Sequence, residues 1–206
     1  MQLFDAGSLS DGALEQILSF LRAGGVIAFP TDTAYGLGAD PFNEGAVRRI
    51  YEIKGRPETK PILLLVNSME MASRVATLSD KAMALAERFW PGPLTMILPA
   101  RESIPSVVTA GTGSVGIRWP DAPFPQRLIA AFHRPITATS ANLAGLPSTV
   151  TVAEVREQLG ESVDLVVDGG TLPARGGSTL IDLTEIPARL LREGPIPEAE
   201  LSDVLR

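Results

Sequence analysis

The chain has no cysteine and a single histidine, His133. Disulfides, thiolate chemistry and a histidine-rich metal centre are thereby excluded. No stretch approaches the roughly 18 apolar residues that a membrane-spanning helix needs, and the N-terminal MQLFDAGSLSDG lacks a basic segment followed by an apolar one. A soluble, uncleaved, cytoplasmic protein with no membrane contact is expected. Cations do not dominate either: 18 Lys and Arg against 24 Asp and Glu leave a formal charge of −6, which argues against a general nucleic-acid coat. Both common glycine cradles for phosphate are missing, the GxxxxGK followed by Ser or Thr and the GxGxxG after a strand. A nucleotide triphosphate would have to be held by side-chain cations.

What is present is enough for one good core: 206 residues, 45% of them hydrophobic, with 17 prolines spread as punctuation and no internal repeat. A single domain over 1–206 is expected. Ser10 or Asp11 can cap a helix with Leu14, Ile17, Leu18 and Leu21 at helical spacing, ended by Gly24 and Gly25. The strand VIAFP follows, then TDTAYGLGADPFN as a turn, then a helix over 43–53 capped by Asn43. ILLLV reads as a short buried strand, 79–90 as a helix stopped by Pro91, Gly92 and Pro93, and Met83, Leu85, Ala86 and Phe89 as its core stripe. Helices at 123–132 and 151–159 are interspersed with the β-like runs LTMIL, VGIRW, ITATS, VDLVVD, TLIDL and ARLLRE. Early alternation followed by a strand-rich last third predicts an α/β (α+β) domain, a twisted mixed sheet with flanking helices.

Polar clusters recur where these strands begin or end: PTDTAYG, KGRPETK, Arg118, SAN at 140–142, Ser178 with Thr179, and Arg192. Ligands of open α/β sheets gather at strand ends, so a concave cationic cleft is expected there. Alone, Lys54, Arg56 and Lys60 fit either a solvated turn or an anion site. Ser140 and Asn142 fit either a capped turn or a binding loop. Arg118 and Arg192, inside apolar strands, need solvent or a partner anion. His133 reads as a surface residue at a helix end.

The ordered blocks PTDTAYGLG, KGRP before an apolar strand, WPGPLT, VGIRWP, TSANLAGLPS, GGSTLIDL and LLREG resemble the YrdC/TsaC family of L-threonylcarbamoyladenylate synthases over residues 10–196. Both family signatures, Lys-x-Arg and Ser-x-Asn, are intact as Lys54/Arg56 and Ser140/Asn142. A sister branch shares the fold without them.

The resemblance implies a YrdC-like (RibB-like) fold in its short single-domain form. It also implies condensation of L-threonine, bicarbonate and ATP to threonylcarbamoyl-AMP and pyrophosphate, a nucleotidyltransferase step toward the t6A modification of tRNA. Under it Lys54, Arg56, Ser140 and Asn142 carry the catalytic signature. Lys54, Arg56, Lys60, Ser114, Asn142 and Arg192 match ATP positions, and Thr33, Arg118, Ser140 and Ser178 match positions around threonine. Mg2+ is expected through the ATP phosphates, without a protein cage. Weak tRNA binding and proteins that transfer threonylcarbamoyl to tRNA are the implied partners. Some members carry a histidine where this chain has Leu65. Two other readings stand beside it: a non-catalytic tRNA or double-stranded-RNA-binding protein, and carbamoyl phosphate chemistry like that of a similar domain in a hydrogenase-maturation protein.

Overall fold

The computed structural model describes residues 1–173 and 176–205. In chain order its strands are β1 (Gln2–Asp5), β2 (Ile27–Pro30), β3 (Tyr35–Gly38), β4 (Leu63–Leu65), β5 (Leu94–Pro99), β6 (Ser114–Arg118), β7 (Ile136–Ser140), β8 (Leu165–Asp168), β9 (Thr179–Asp182) and β10 (Arg189–Arg192). The helices are α1 (Asp11–Arg22), α2 (Glu44–Lys54), α3 (Met69–Val75), α4 (Asp80–Phe89), α5 (Ser106–Thr109), α6 (Pro123–Phe132), α7 (Val152–Leu159) and α8 (Ser202–Leu205). The strands join in one sheet of order β1-β8-β2-β3-β7-β4-β6-β5-β9-β10. It is mixed as expected: β4 runs parallel to β6 and β5 to β9, whereas β7 opposes both β3 and β4.

Local chemistry sets the helix starts. Ser10, Asn43, Ser68, Ser79 and Thr151 each accept the N–H three residues on, a cap of about 1 kcal/mol apiece. Ser10, not Asp11, caps α1. Gly24 and Gly55, at φ of 89° and 58°, turn the chain out of α1 and α2.

The two faces of the sheet are covered differently, and that difference makes the site. Alternate strand residues such as Ala28, Leu64, Met96, Ile117 and Val166 face a core shared with α2, α3, α4, α5 and α7. On the other face, Ile27, Phe29, Ile136, Leu165 and Val167 pack under α1 and α6. These two helices reach only across the first half of the sheet. Leu65 of β4 still packs with them, but over β6, β5 and β9 no helix covers that face. Among the described residues no helix is long and apolar enough to cross a membrane.

Two expectations are corrected here. YGLG is strand β3, not part of a turn, and pairs with β2 and β7. Its glycines, which suggest a turn, serve packing: a Cβ on Gly38 would lie 2.6 Å from the Phe29 ring and 2.8 Å from the Thr137 carbonyl oxygen. Met83 is 41% exposed, although Leu85 and Ala86 are buried. The buried stripe of α4 runs Ala82, Leu85, Ala86, and Met83 falls off its edge. The strand β1 and the helices α3 and α5 add elements that the periodicity did not reveal.

Candidate active site

A cavity of about 650 Å3 lies on the bare half of the sheet, within the range of small-molecule sites. Its floor comes from alternate residues of five strands. Register places Asp182, Ile97, Gly116, Leu63 and Ala138 in one row across the sheet, with Leu180, Thr95, Arg118 and Leu65 in the next. Period-two alternation sends these side chains into the cavity while Leu64, Met96, Ile117 and Ile181 go to the core. The site therefore occupies the face of the sheet rather than the strand ends. The reason is the missing helix cover, which the sequence pattern does not report.

Gly116 sits mid-floor, where a Cβ would already be 3.2 Å from that of Leu63. Arg118, one turn of the pleat further along β6, is only 5% exposed. It is held on three sides: Nη2 donates to Asp32 Oδ1 at 2.6 Å, Nη1 to Thr33 Oγ1 at 3.0 Å, and Nε to the Gly92 carbonyl at 3.1 Å. Burial lowers its pKa from the usual arginine value, Asp32 raises it, and the Arg192 charge lowers it again. Three of five guanidinium N–H groups are thus engaged, and two are left for a ligand. Asp32 is spent on this ion pair and does not line the cavity.

Arg192 enters from β10 and donates from Nε to the Ser178 carbonyl at 2.9 Å and from Nη2 to Ser178 Oγ at 3.3 Å. Ser178 Oγ in turn lies 2.6 Å from Thr95 Oγ1. Arg56 donates from Nη2 to the Pro61 carbonyl at 2.8 Å, and its Nε is buried without a partner. Lys60 and Ser114 also line the cavity, Ser114 Oγ being 3.0 Å from Thr112 Oγ1. Arg56, Lys60, Arg118 and Arg192 thus face one volume whose described wall carries a single carboxylate, Asp182. Like charges focused by low-dielectric walls make an anion site.

Two candidates do not reach the cavity wall: Lys54 and Asn142. Lys54 is the last residue of α2, on the buried stripe with Val47, Ile50 and Tyr51, and the left-handed Gly55 then turns the chain so that Arg56 emerges into the cavity. The Lys54 ammonium is buried and donates to the Ser140 carbonyl, to the Asn142 carbonyl at 2.8 Å and to Asn142 Oδ1 at 3.4 Å. Burial first, and the Arg56 charge second, lower its pKa to about 8. Asn142 Nδ2 donates to the carbonyls of Leu143 and Leu146 at 2.9 and 2.7 Å. The pair fixes the loop from behind while Ser140 lines the cavity. Sequence reasoning missed the lining residues Thr31, Thr95, Thr139, Ser148 and Asp182. For Thr95 and Asp182 the available signal was a polar residue at an alternate position to the core residues of a largely apolar strand.

The family model Sua5/YciO/YrdC, with the description "Telomere recombination", matches residues 19–194. The chain belongs to the Sua5/YciO/YrdC family. It is 43% identical over 187 residues to the threonylcarbamoyl-AMP synthase of Pyrococcus abyssi, covering 90% of this chain and 55% of that protein. With the threonylcarbamoyl-AMP synthase of Vibrio cholerae it shares 38% over 187 residues, 88% of this chain and 97% of that one. The crystal structure of P. abyssi Sua5 complexed with L-threonine superposes with a TM-score of 0.93 at 39% identity, over all of this chain and 61% of that one. The chain thus spans little more than half of the Pyrococcus relative and nearly the whole of the Vibrio relative. Of the two motifs Lys54-x-Arg56 and Ser140-x-Asn142, Arg56 and Ser140 face the cavity, and Lys54 and Asn142 brace it from behind.

Proposed function

We propose that this chain is a threonylcarbamoyl-AMP synthase, which condenses L-threonine, bicarbonate and ATP to threonylcarbamoyl-AMP and pyrophosphate for t6A formation in tRNA. The observation that carries the reading is the four-cation cavity in a chain matching 97% of the Vibrio synthase. The two unengaged N–H groups of Arg118 suit the threonine carboxylate, with the Thr33, Ser140 and Ser178 hydroxyls around the amino acid. Arg56, Lys60 and Arg192, with Ser114, suit ATP.

The neutral threonine amine and CO2 from bicarbonate form a carbamate, the amine proton leaving with the hydroxide of bicarbonate as water. One carbamate oxygen attacks the α-phosphorus, the bond from that phosphorus to the bridging oxygen breaks, and pyrophosphate leaves. Charge builds on the phosphoryl oxygens, so placed cations and alignment supply the catalysis and no protein nucleophile is required. Arg56 and Arg192 can grip phosphate oxygens in a fork, whereas Lys60 acts as a point charge. Mg2+ would neutralise the triphosphate, bound to phosphate oxygens and water. The single wall carboxylate, Asp182, already accepts from Thr184 N and Oγ1 at 2.9 and 2.6 Å and fits such a carried ion better than a protein cage. Lys54 and Asn142 act by holding the Ser140 loop. The cytoplasm is the proposed setting, with threonylcarbamoyl-transfer proteins as partners and tRNA as a weak one.

The test is mass spectrometry of the protein with MgATP, bicarbonate and L-threonine, against serine and no-amino-acid controls. A threonine-dependent adenylate with matching pyrophosphate is expected. ATP binding without that product would overturn the reading.

A further inference from the structure

A carboxylate in a cavity made for a polyanion repels its ligand unless it faces a donor. Asp182 is the one carboxylate on the described wall, and half of it is already engaged. Its Oδ1 accepts from Thr184 N at 2.9 Å and from Thr184 Oγ1 at 2.6 Å, closing the turn after β9. Among the described residues Oδ2 has no hydrogen-bond partner: Arg189, the cross-strand neighbour of Asp182, pairs with Glu185 at 3.6 Å instead. The register puts Asp182 in the corner of the floor farthest from the cations. Ser178, gripped by Arg192, precedes it by four residues of extended chain, about 13 Å between backbones. Arg118 turns toward that same Ser178 end, since its Nε reaches the Gly92 carbonyl and Thr179 N donates to the neighbouring Pro93 carbonyl. Arg56, tied to the Pro61 carbonyl just ahead of β4, lies across β5 and β6, three strand spacings or about 14 Å away. The side chains beside Asp182 in the cavity are apolar: Ile97, Leu180 and Leu191.

We infer that Asp182 Oδ2 accepts a hydrogen bond from a neutral donor of the nucleoside, a ribose hydroxyl or the base amine, and thereby fixes which way ATP lies. The nucleoside occupies the corner of Asp182, Ile97, Leu180 and Leu191, and the phosphates run toward the cations. Ser114, one row beyond Gly116 on β6, stands at the same end. The inference rests on the proposed function and deepens it: four cations hold a triphosphate in any direction, whereas a lone acceptor at one corner accepts only the end that carries donors. A phosphate offered to Asp182 meets like charge, and a nucleotide without the donor leaves the acceptor unpaired.

Calorimetric binding to wild type and Asp182→Asn tests it. The Thr184 N–H can only donate, so the asparagine oxygen stays with it and the NH2 turns to the cavity, a donor where the carboxylate is an acceptor. The sign of the change is diagnostic. If Asp182 touches no part of the ligand, removing its charge tightens MgATP; if it holds the nucleoside, MgATP should weaken roughly tenfold, as for loss of one hydrogen bond to a charged group. Inorganic tripolyphosphate, which has no nucleoside, should bind the variant at least as well as wild type. On the unmodified protein, 2′-deoxy-ATP, 3′-deoxy-ATP and purine riboside triphosphate each lack one donor. One of them should bind roughly tenfold more weakly than ATP and lose nothing further in Asp182→Asn, which tells sugar from base. Unchanged or tighter MgATP binding by the variant would overturn the inference, as would an equal loss for tripolyphosphate, which would assign the carboxylate to the Mg2+ carried by the phosphates. Wild-type affinities equal to that of ATP for all three analogues would also overturn it, whether or not the variant folds. If the protein neither binds ATP nor makes the adenylate, the proposed function falls and this inference with it. Adenylate formation with unweakened ATP binding by Asp182→Asn removes this inference alone.

Discussion

Replacing Lys54 by methionine separates what a buried charge does for the site from what it does for the fold. Lys54 is 4% exposed and has three oxygen acceptors, matching the three donors of an ammonium. Those oxygens favour the charged form, while burial disfavours it and holds the pKa at about 8 against the usual 10.5. At pH 7 the group is charged, at a folding cost of about 3 kcal/mol. The sign follows from proton counting: between pH 8 and 10.5 the unfolded chain binds the extra proton, so Lys54 adds stability as pH rises through that window. Wild type should gain about 2 kcal/mol relative to Lys54→Met between pH 7 and pH 10, other titrations cancelling in the difference. Urea midpoints of the two proteins at both pH values measure it. Near pH 7 the variant sheds the charge cost but leaves three oxygens facing a thioether, at about 1–3 kcal/mol each, so net stability does not rise. Activity should nonetheless fall at least about tenfold, because the Ser140 loop loses its anchor. A stability difference flat with pH would refute the buried-ammonium argument.

Two further outcomes are expected. Gly38→Ala should destabilise by roughly 3 kcal/mol or more, seen as a lower thermal midpoint, because the new Cβ meets backbone at Thr137 as well as two side chains; a cost under about 1 kcal/mol would contradict the packing described. Arg118→Lys should raise the threonine KM by at least about tenfold, since a point charge cannot replace a fork held by Asp32, Thr33 and Gly92, and wild-type kinetics would refute it.

Much of the architecture was legible where local chemistry decides it. The bounds of α6 coincide with the expected 123–132, since Pro123 starts it and His133, at φ 57°, ends it exposed to solvent. Asn43 and Ser79 announce α2 and α4 in the same way. Errors came where tertiary contacts override local signals. YGLG reads as a turn until the approach of Phe29 and Thr137 explains its glycines. Lys54, which the resemblance puts among the ATP positions, lies outside the cavity wall, and its spacing from Val47, Ile50 and Tyr51 places it on the buried stripe of α2. The cationic cleft was anticipated from Arg56, Lys60, Arg118 and Arg192, but its location on a bare sheet face depends on how far α1 and α6 extend, which no motif encodes.

The five-strand floor has a consequence for how this molecule comes to exist. Its rows draw on segments near residues 63, 97, 116, 138 and 182, and of the adjacent tiles only those of β5 and β6 come from strands consecutive in the chain. A nascent or truncated chain therefore owns at most the β5–β6 part of the floor: the hollow closes only when the distant pairings of β4, β7 and β9 have formed. Whatever fills it clamps β7, β4, β6, β5 and β9 at once, so occupancy and global folding are one equilibrium, and ligand concentration becomes a lever on the lifetime of the whole chain.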